Sequence, residues 1–205
     1  PDALFELWSE NGDEIKNASK LIVGPGQGCI FVYQGKVQGH YENEGLYELN
    51  TANIPFWTTV TKFMQAFESE HKVQLFFYRR TKFLDQKWGT SHPIKYEDPQ
   101  YKFPVGLRAF GNYTFRITEP DIFLTSIVGG SHYYDVGEFR EVMRNRVIQP
   151  LTDFMAEQKY SYAEIDANRE ELATGLESKL QLDFVKLGFV LTDFRIEGTT
   201  FDEDT

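Results

Sequence analysis

The chain has 205 residues, 31 acidic and 21 basic, for a formal net charge of −10. That length supports one or two domains with a core of ordinary size, and the negative balance excludes broad binding to a nucleic-acid backbone, which needs Lys and Arg spread over a whole face. A single cysteine, Cys29, cannot close an internal disulfide. No apolar run reaches the ~20 residues that span a bilayer and no export signal is legible, so the cytoplasm is the expected compartment and any membrane contact is peripheral.

Asn11-Gly12, between ALFELW and EIKNASKLIV, predicts a hairpin because both residues tolerate positive φ. The stretch LIVGPGQGCIFVYQGKV at 21–37 places glycines at 24, 26 and 28. A phosphate loop needs G-x-G-x-x-G or G-x-x-x-x-G-K-[ST], usually with a helix behind it. Here β-branched and aromatic residues follow Gly28, so the reading is strand, turn, strand. Strand-like segments come next near 29–40, 45–50, 72–84 and 105–118, separated by Gly, Pro and Asn, as in antiparallel sheet. Residues 55–70 read as a short helix or an irregular connection. In VGLRAFGNYTFRI, Leu107, Ala109, Gly111, Tyr113 and Phe115 alternate with Arg108, Phe110, Asn112, Thr114 and Arg116, the pattern of a half-buried strand.

After about residue 119 the period changes. Glu119-Pro120-Asp121 opens a short helix ending at Gly129-Gly130, and Asp135 with Glu138 reads as a capping box for a longer one. Val136, Phe139, Met143, Val147, Leu151 and Phe154 form one apolar stripe, with a kink expected ahead of Pro150. A second long helix is expected from Asn168, boxed by Glu171, with Leu172, Leu176, Leu180, Phe184 and Leu187 in register and Gly188 at its end. FVLTDFRI at 189–196 returns to the strand period, with Val190, Thr192, Phe194 and Ile196 on one face. The fold class read from this order is α+β: a β-rich part over 1–118, then an αβ part over 119–205 with two long helices and a terminal strand.

The chemistry-bearing residues form no site. His40, His71, His92 and His132 lack the i, i+4 spacing of a metal pair. In SHYYD the hydroxyl, imidazole and carboxylate are sequence neighbours, whereas a triad meets through the fold, so Asp135 is assigned to the helix cap. Cys29 reads as a buried thiol and NREEL at 168–172 as a solvated first turn. No catalytic residue, cofactor or metal is expected, and the sequons at Asn17 and Asn112 are read as chance matches. One stretch stands apart: HKVQLFFYRRTKFLDQKW at 71–88 sets Lys72, Arg79, Arg80, Lys82 and Lys87 among aromatics against one acid, Asp85. Cations with rings suit anionic headgroups or stacked bases, and the net charge opposes the second, which makes Phe76, Tyr78, Arg79, Arg80 and Lys82 the candidate membrane or partner contact; a solvated strand edge is the competing reading.

The glycine-turn stretch resembles the first hairpin of the SPFH, or band 7, domain. GLYELNTANIP, KWGTSHPI, DPQYKFPVGLRAFGNYTFRITEPDIFL, NREELA and DFVKLGFVLTDFRI follow in order and resemble a bacterial branch named after a virion core protein. The resemblance implies an α+β, non-enzymatic scaffold that self-associates and organises a membrane surface or a membrane-protein partner, with no nucleic acid involved and no catalytic residues to carry over. It also implies further segments outside these residues, so the chain is read as a piece of something longer. A soluble ligand-binding or hydrolytic α+β domain is the alternative.

Overall fold

Aromatic and β-branched residues crowd the first half of the chain, and apolar residues at intervals of three and four crowd the second; the structure turns these into sheets and helices in that order. The computed structural model describes residues 2–10, 20–33, 35–42, 44–48, 73–158 and 160–201. Its strands are β1 (Ala3–Ser9), β2 (Lys20–Val23), β3 (Gln27–Tyr33), β4 (Lys36–Tyr41), β5 (Gly45–Glu48), β6 (Val73–Arg79), β7 (Phe83–Gly89), β8 (Ile94–Glu97), β9 (Pro104–Ile117), β10 (Tyr133–Asp135) and β11 (Phe189–Phe201). The helices are α1 (Pro120–Phe123), α2 (Val136–Gln158) and α3 (Arg169–Phe184). The class is α+β, as expected. The hairpin at Asn11-Gly12 and the segment 55–70 lie outside the described residues.

Two compact units form, Pro1–Thr81 with Ile117–Val136 and Lys82–Arg116 with Gly137–Thr205. The chain passes between them after residues 81, 116 and 136.

The first unit is built on a five-stranded sheet ordered β10-β1-β6-β3-β4, while β2 pairs with β5. Strand 29–40 of the sequence reading is in fact a hairpin: Gly35 takes φ 76° and Tyr33 pairs with Lys36 across the turn. The segment 72–84 also divides. β6 ends at Arg79, β7 starts at Phe83, and the two belong to different units. β6 lies between β1 and β3, so both its edges are paired, and the burial of Leu75 on one face and of Phe76 and Tyr78 on the other puts all three in the core. Phe5 stacks on Tyr78 and on Phe123 of α1, each at 5.6 Å. The short helix continues past Phe123 as a π turn, Leu124–Val128, and stops at Gly129.

In the second unit β9 lies between β11 and β7, and β8 pairs with the first residues of β9. Burial follows the expected alternation: Leu107, Ala109, Gly111, Tyr113 and Phe115 face inward, while Arg108, Phe110 and Arg116 are exposed. Thr114 is the exception; it is buried and its hydroxyl accepts the Asp85 amide at 3.2 Å. The inward face meets both long helices through rings. Phe115 stacks on Phe139 at 4.2 Å, Phe139 meets Phe189 edge-on at 4.9 Å, and Phe184 stacks on Phe189 at 4.7 Å. α2 continues through Pro150 and buries Phe139, Met143, Val147, Leu151 and Phe154.

Two local expectations fail at α3 and β11. No capping box forms at Asn168. Its side-chain amide donates to the Glu164 carbonyl, and Glu171 accepts the Tyr160 hydroxyl instead, because a preceding 3-10 turn has already taken the chain into the helix. On β11, of the expected face Val190, Thr192, Phe194 and Ile196, only Phe194 is buried, together with Phe189 and Leu191. The step of three from Leu191 to Phe194 moves the buried face mid-strand, which a strict period of two cannot register.

β11 is the end strand of its sheet, and α3 covers part of its open edge. Gln181 on α3 donates its Nε2 to the Leu191 carbonyl at 2.5 Å and accepts the Leu191 amide on Oε1 at 3.0 Å, as a neighbouring strand would. Arg169 donates to the Glu197 carbonyl further along. On the other side β11 crosses β9 closely at Gly111, where a Cβ would lie 1.8 Å from the Arg195 carbonyl oxygen. Backbone cannot swing aside as a side chain can, so Gly111→Ala is expected to cost about 3 kcal/mol, the upper part of the range for overpacking. A urea midpoint within error of the wild type would show that β9 and β11 do not cross there.

Candidate interaction surface

The basic aromatic stretch does not survive as one patch. Phe76 and Tyr78 are 2% exposed and belong to the core of the first unit, so neither ring is available to a surface. The physical reason is the central place of β6: a strand paired on both edges inside a sheet covered on both faces buries alternate side chains on either side. Tyr78 still carries a polar handle, donating to Glu42 Oε1 at 3.1 Å; burial, followed by the Glu42 charge, raises its phenol well above the ordinary value. Arg79 and Arg80 are half-buried and Lys82 is exposed. Arg79 donates from Nε to Thr81 Oγ1 at 2.8 Å, and Arg80 donates to the Glu42 carbonyl. Lys82 starts the other unit.

The glycine stretch is a turn that joins two ladders rather than closing a hairpin, since β2 pairs with β5 and β3 with β4 and β6. Pro25 presets its own φ, Gly26 takes φ 71°, and the Gln27 amide donates to the Gly24 carbonyl at 3.0 Å, a type II turn by its residues and dihedral. The Gly24 amide is taken by Gln27 Oε1 at 2.9 Å and Pro25 has none to give. The Gly24 and Gln27 amides are thereby committed to the turn itself, and a strand instead of a helix follows. Beside the turn lies a cavity of about 580 Å³, lined by Glu6, Pro25, Gln27, Phe77, Arg79 and Thr81 among others. Arg79 sits directly across from Gln27 in the β3–β6 ladder; the cavity has the volume of a small-molecule site and is open, with Glu6 and Arg79 among its lining residues.

Elsewhere the titratable residues serve structure. Cys29 is 0% exposed, and burial pushes its thiol far above the ordinary value, so it is held protonated and unreactive. His40 lies 3.8 Å from Glu42 and His132 3.2 Å from Glu10, both pairs exposed. Among the described residues no three His, Cys, Asp or Glu side chains gather as metal ligands, and no helix is long and apolar enough to cross a membrane.

One arrangement had no sequence signal. Asp98 is 0% exposed; its Oδ1 accepts the amides of Gln100 and Tyr101, both at 2.8 Å, and its Oδ2 accepts the Ser161 hydroxyl at 3.0 Å and the Tyr162 amide at 2.9 Å. Burial alone would raise its pKa, but these four donors outweigh it and hold the carboxyl below its ordinary 3.8. The knot presents Tyr101, Phe103, Tyr162 and Phe201 as a chain of rings at 5.5 to 6.0 Å spacing. Asp98-Pro99 looks like an ordinary turn in the sequence, and its partners at 161 and 162 are too distant to be read from spacing.

Comparison with known proteins supplies what the geometry leaves open. Residues 7–205 match the family described as "SPFH domain-Band 7 family". The chain is also similar to a protein of Bacillus subtilis (strain 168) that carries the name "Uncharacterized protein YdjI", with 27% identity over 205 residues, which is 99% of this chain and 62% of that protein. The chain thus spans somewhat under two thirds of the length of the relative it matches.

Proposed function

The chain belongs to the SPFH domain-Band 7 family, and from that membership we propose that it is the folded part of a non-enzymatic scaffold, which self-associates and organises a membrane surface or a membrane-protein partner. The observation that carries this reading is the family match, which runs through both compact units rather than one. Within the family we place it in the bacterial virion-core-protein-like branch, on the segments around residues 98–124 and 168–196, and at the cytoplasmic face of a membrane. With Phe76 and Tyr78 in the core and Lys82 in the other unit, the contact proposed for the basic stretch reduces to Arg79 and Arg80.

Self-association is expected to depend on segments beyond these residues, because ten excess negative charges oppose crowding of identical copies at low salt. Native mass spectrometry should find the 205-residue chain mainly as a monomer or small oligomer, and the full-length protein in larger assemblies. Stable large rings from this chain alone would overturn the dependence, and a monomeric full-length protein would overturn the scaffold. The alternative, a soluble ligand-binding domain, has the cavity beside Arg79 in its favour; a rise in Tm with a small anionic ligand would mark it.

A further inference from the structure

We propose that the outward face of the second unit's sheet is the surface that meets anionic lipid. The inference rests on the scaffold reading and puts the lipid contact on a surface other than the Arg79 and Arg80 stretch. On β9 the outward positions are Arg108, Phe110, Asn112, Thr114 and Arg116, and the ladder registers add to the same face. Lys87 of β7 pairs with Asn112, and Lys95 of β8 pairs with Gly106, which shares the parity of Arg108 and Phe110. Lys87, Lys95, Arg108 and Arg116 are all exposed. Arg108 and Arg116 are eight residues apart on one strand, about 26 Å, which is wide enough to lie across several headgroups.

Asp193 is tied to Arg195 at 2.9 Å, while Glu197, which accepts the Asn112 side-chain amide at 2.5 Å, and Glu97 of β8 keep their charge beside Lys87, Lys95, Arg108 and Arg116. A positive face on a chain of net charge −10 is a local field, and a planar anionic surface is the partner that engages it without drawing the rest of the molecule close. Phe110 lies within it, 50% exposed. Its neighbours are bare: Gly89 is directly opposite on β7, and the ring leans over Gly198 of β11, where a Cβ would come within 2.6 Å of it. No side chain rises at either of these positions, so the ring is presented flat among cations, the composition of an interfacial contact. Single-stranded nucleic acid also takes cations and rings, but it uses aromatics in series on which successive bases stack, and this face offers one.

The test uses the 205-residue chain and vesicles of phosphatidylcholine, alone and mixed with phosphatidylglycerol. Wild type should sediment with the mixed vesicles at low salt, leave them as salt rises, and ignore phosphatidylcholine alone. Lys87→Glu/Arg108→Glu should lower binding about tenfold or more, whereas Arg80→Glu/Lys82→Glu, on the other stretch, should change it less. Phe110→Cys carrying an environment-sensitive dye should blue-shift on the mixed vesicles; Cys29 is buried and takes no label. Binding unchanged by Lys87→Glu/Arg108→Glu, a dye that does not respond, or preference for a single-stranded oligonucleotide over vesicles would each overturn the assignment. If wild type ignores every vesicle while the full-length protein still assembles, this surface is wrong and the scaffold reading stands.

Discussion

Phe184→Ala is expected to lower the unfolding free energy by about 3 to 5 kcal/mol, the range for removing a buried ring and leaving a cavity. Phe184 is 1% exposed and stacks on Phe189 at 4.7 Å, and Phe189 in turn meets Phe139 of α2. The ring therefore links α3, β11 and α2, and none of the three can close over the gap without moving the other two. Urea unfolding followed by circular dichroism measures the effect, with Leu182→Ala as the control, since Leu182 is on the same helix but largely exposed. Equal midpoints for the two variants would show that the ring is not the joint between helices and sheet.

Asp98→Asn should cost about 3 kcal/mol at neutral pH, because one carboxylate oxygen becomes an NH₂ that faces two donors and leaves them buried without an acceptor. The pH dependence gives a second reading of the same group. Its folded pKa is held below the ordinary 3.8, so the stabilisation is fully present above that value and drains as pH falls through it toward the lowered folded value. The gap between wild type and Asp98→Asn should therefore narrow as pH is taken below 4. A gap that stays constant from neutral to acid would show that the carboxylate's charge contributes nothing.

The sequence revealed elements wherever a single period ran unbroken. β9 shows its inner and outer faces in plain alternation, and the stripes of α2 and α3 name their own buried residues. It misled where the structure depends on what lies beside a segment. The run VQLFFY looks the same whether a strand is an edge or a centre, and only the pairing of β6 with both β1 and β3 places Phe76 and Tyr78 in the core. Likewise no spacing rule connects Asp98 to Ser161 and Tyr162, 63 and 64 positions away. The outward face was half legible: Arg108, Phe110 and Arg116 follow from alternation, but Lys87 and Lys95 join them only through ladder register.

The amide of Gln181 on Leu191 bears on how copies of this protein can meet. A scaffold gathers identical chains at high local concentration, the condition under which an unoccupied strand edge recruits its own kind and growth has no natural end. Here the hydrogen-bonding groups of Leu191 are already satisfied by a side chain from the same molecule. An incoming copy finds no template at that point and would first have to displace an intramolecular contact. At that position a second chain is left side-chain interactions, which form and release, where an open edge would offer a template for further strands.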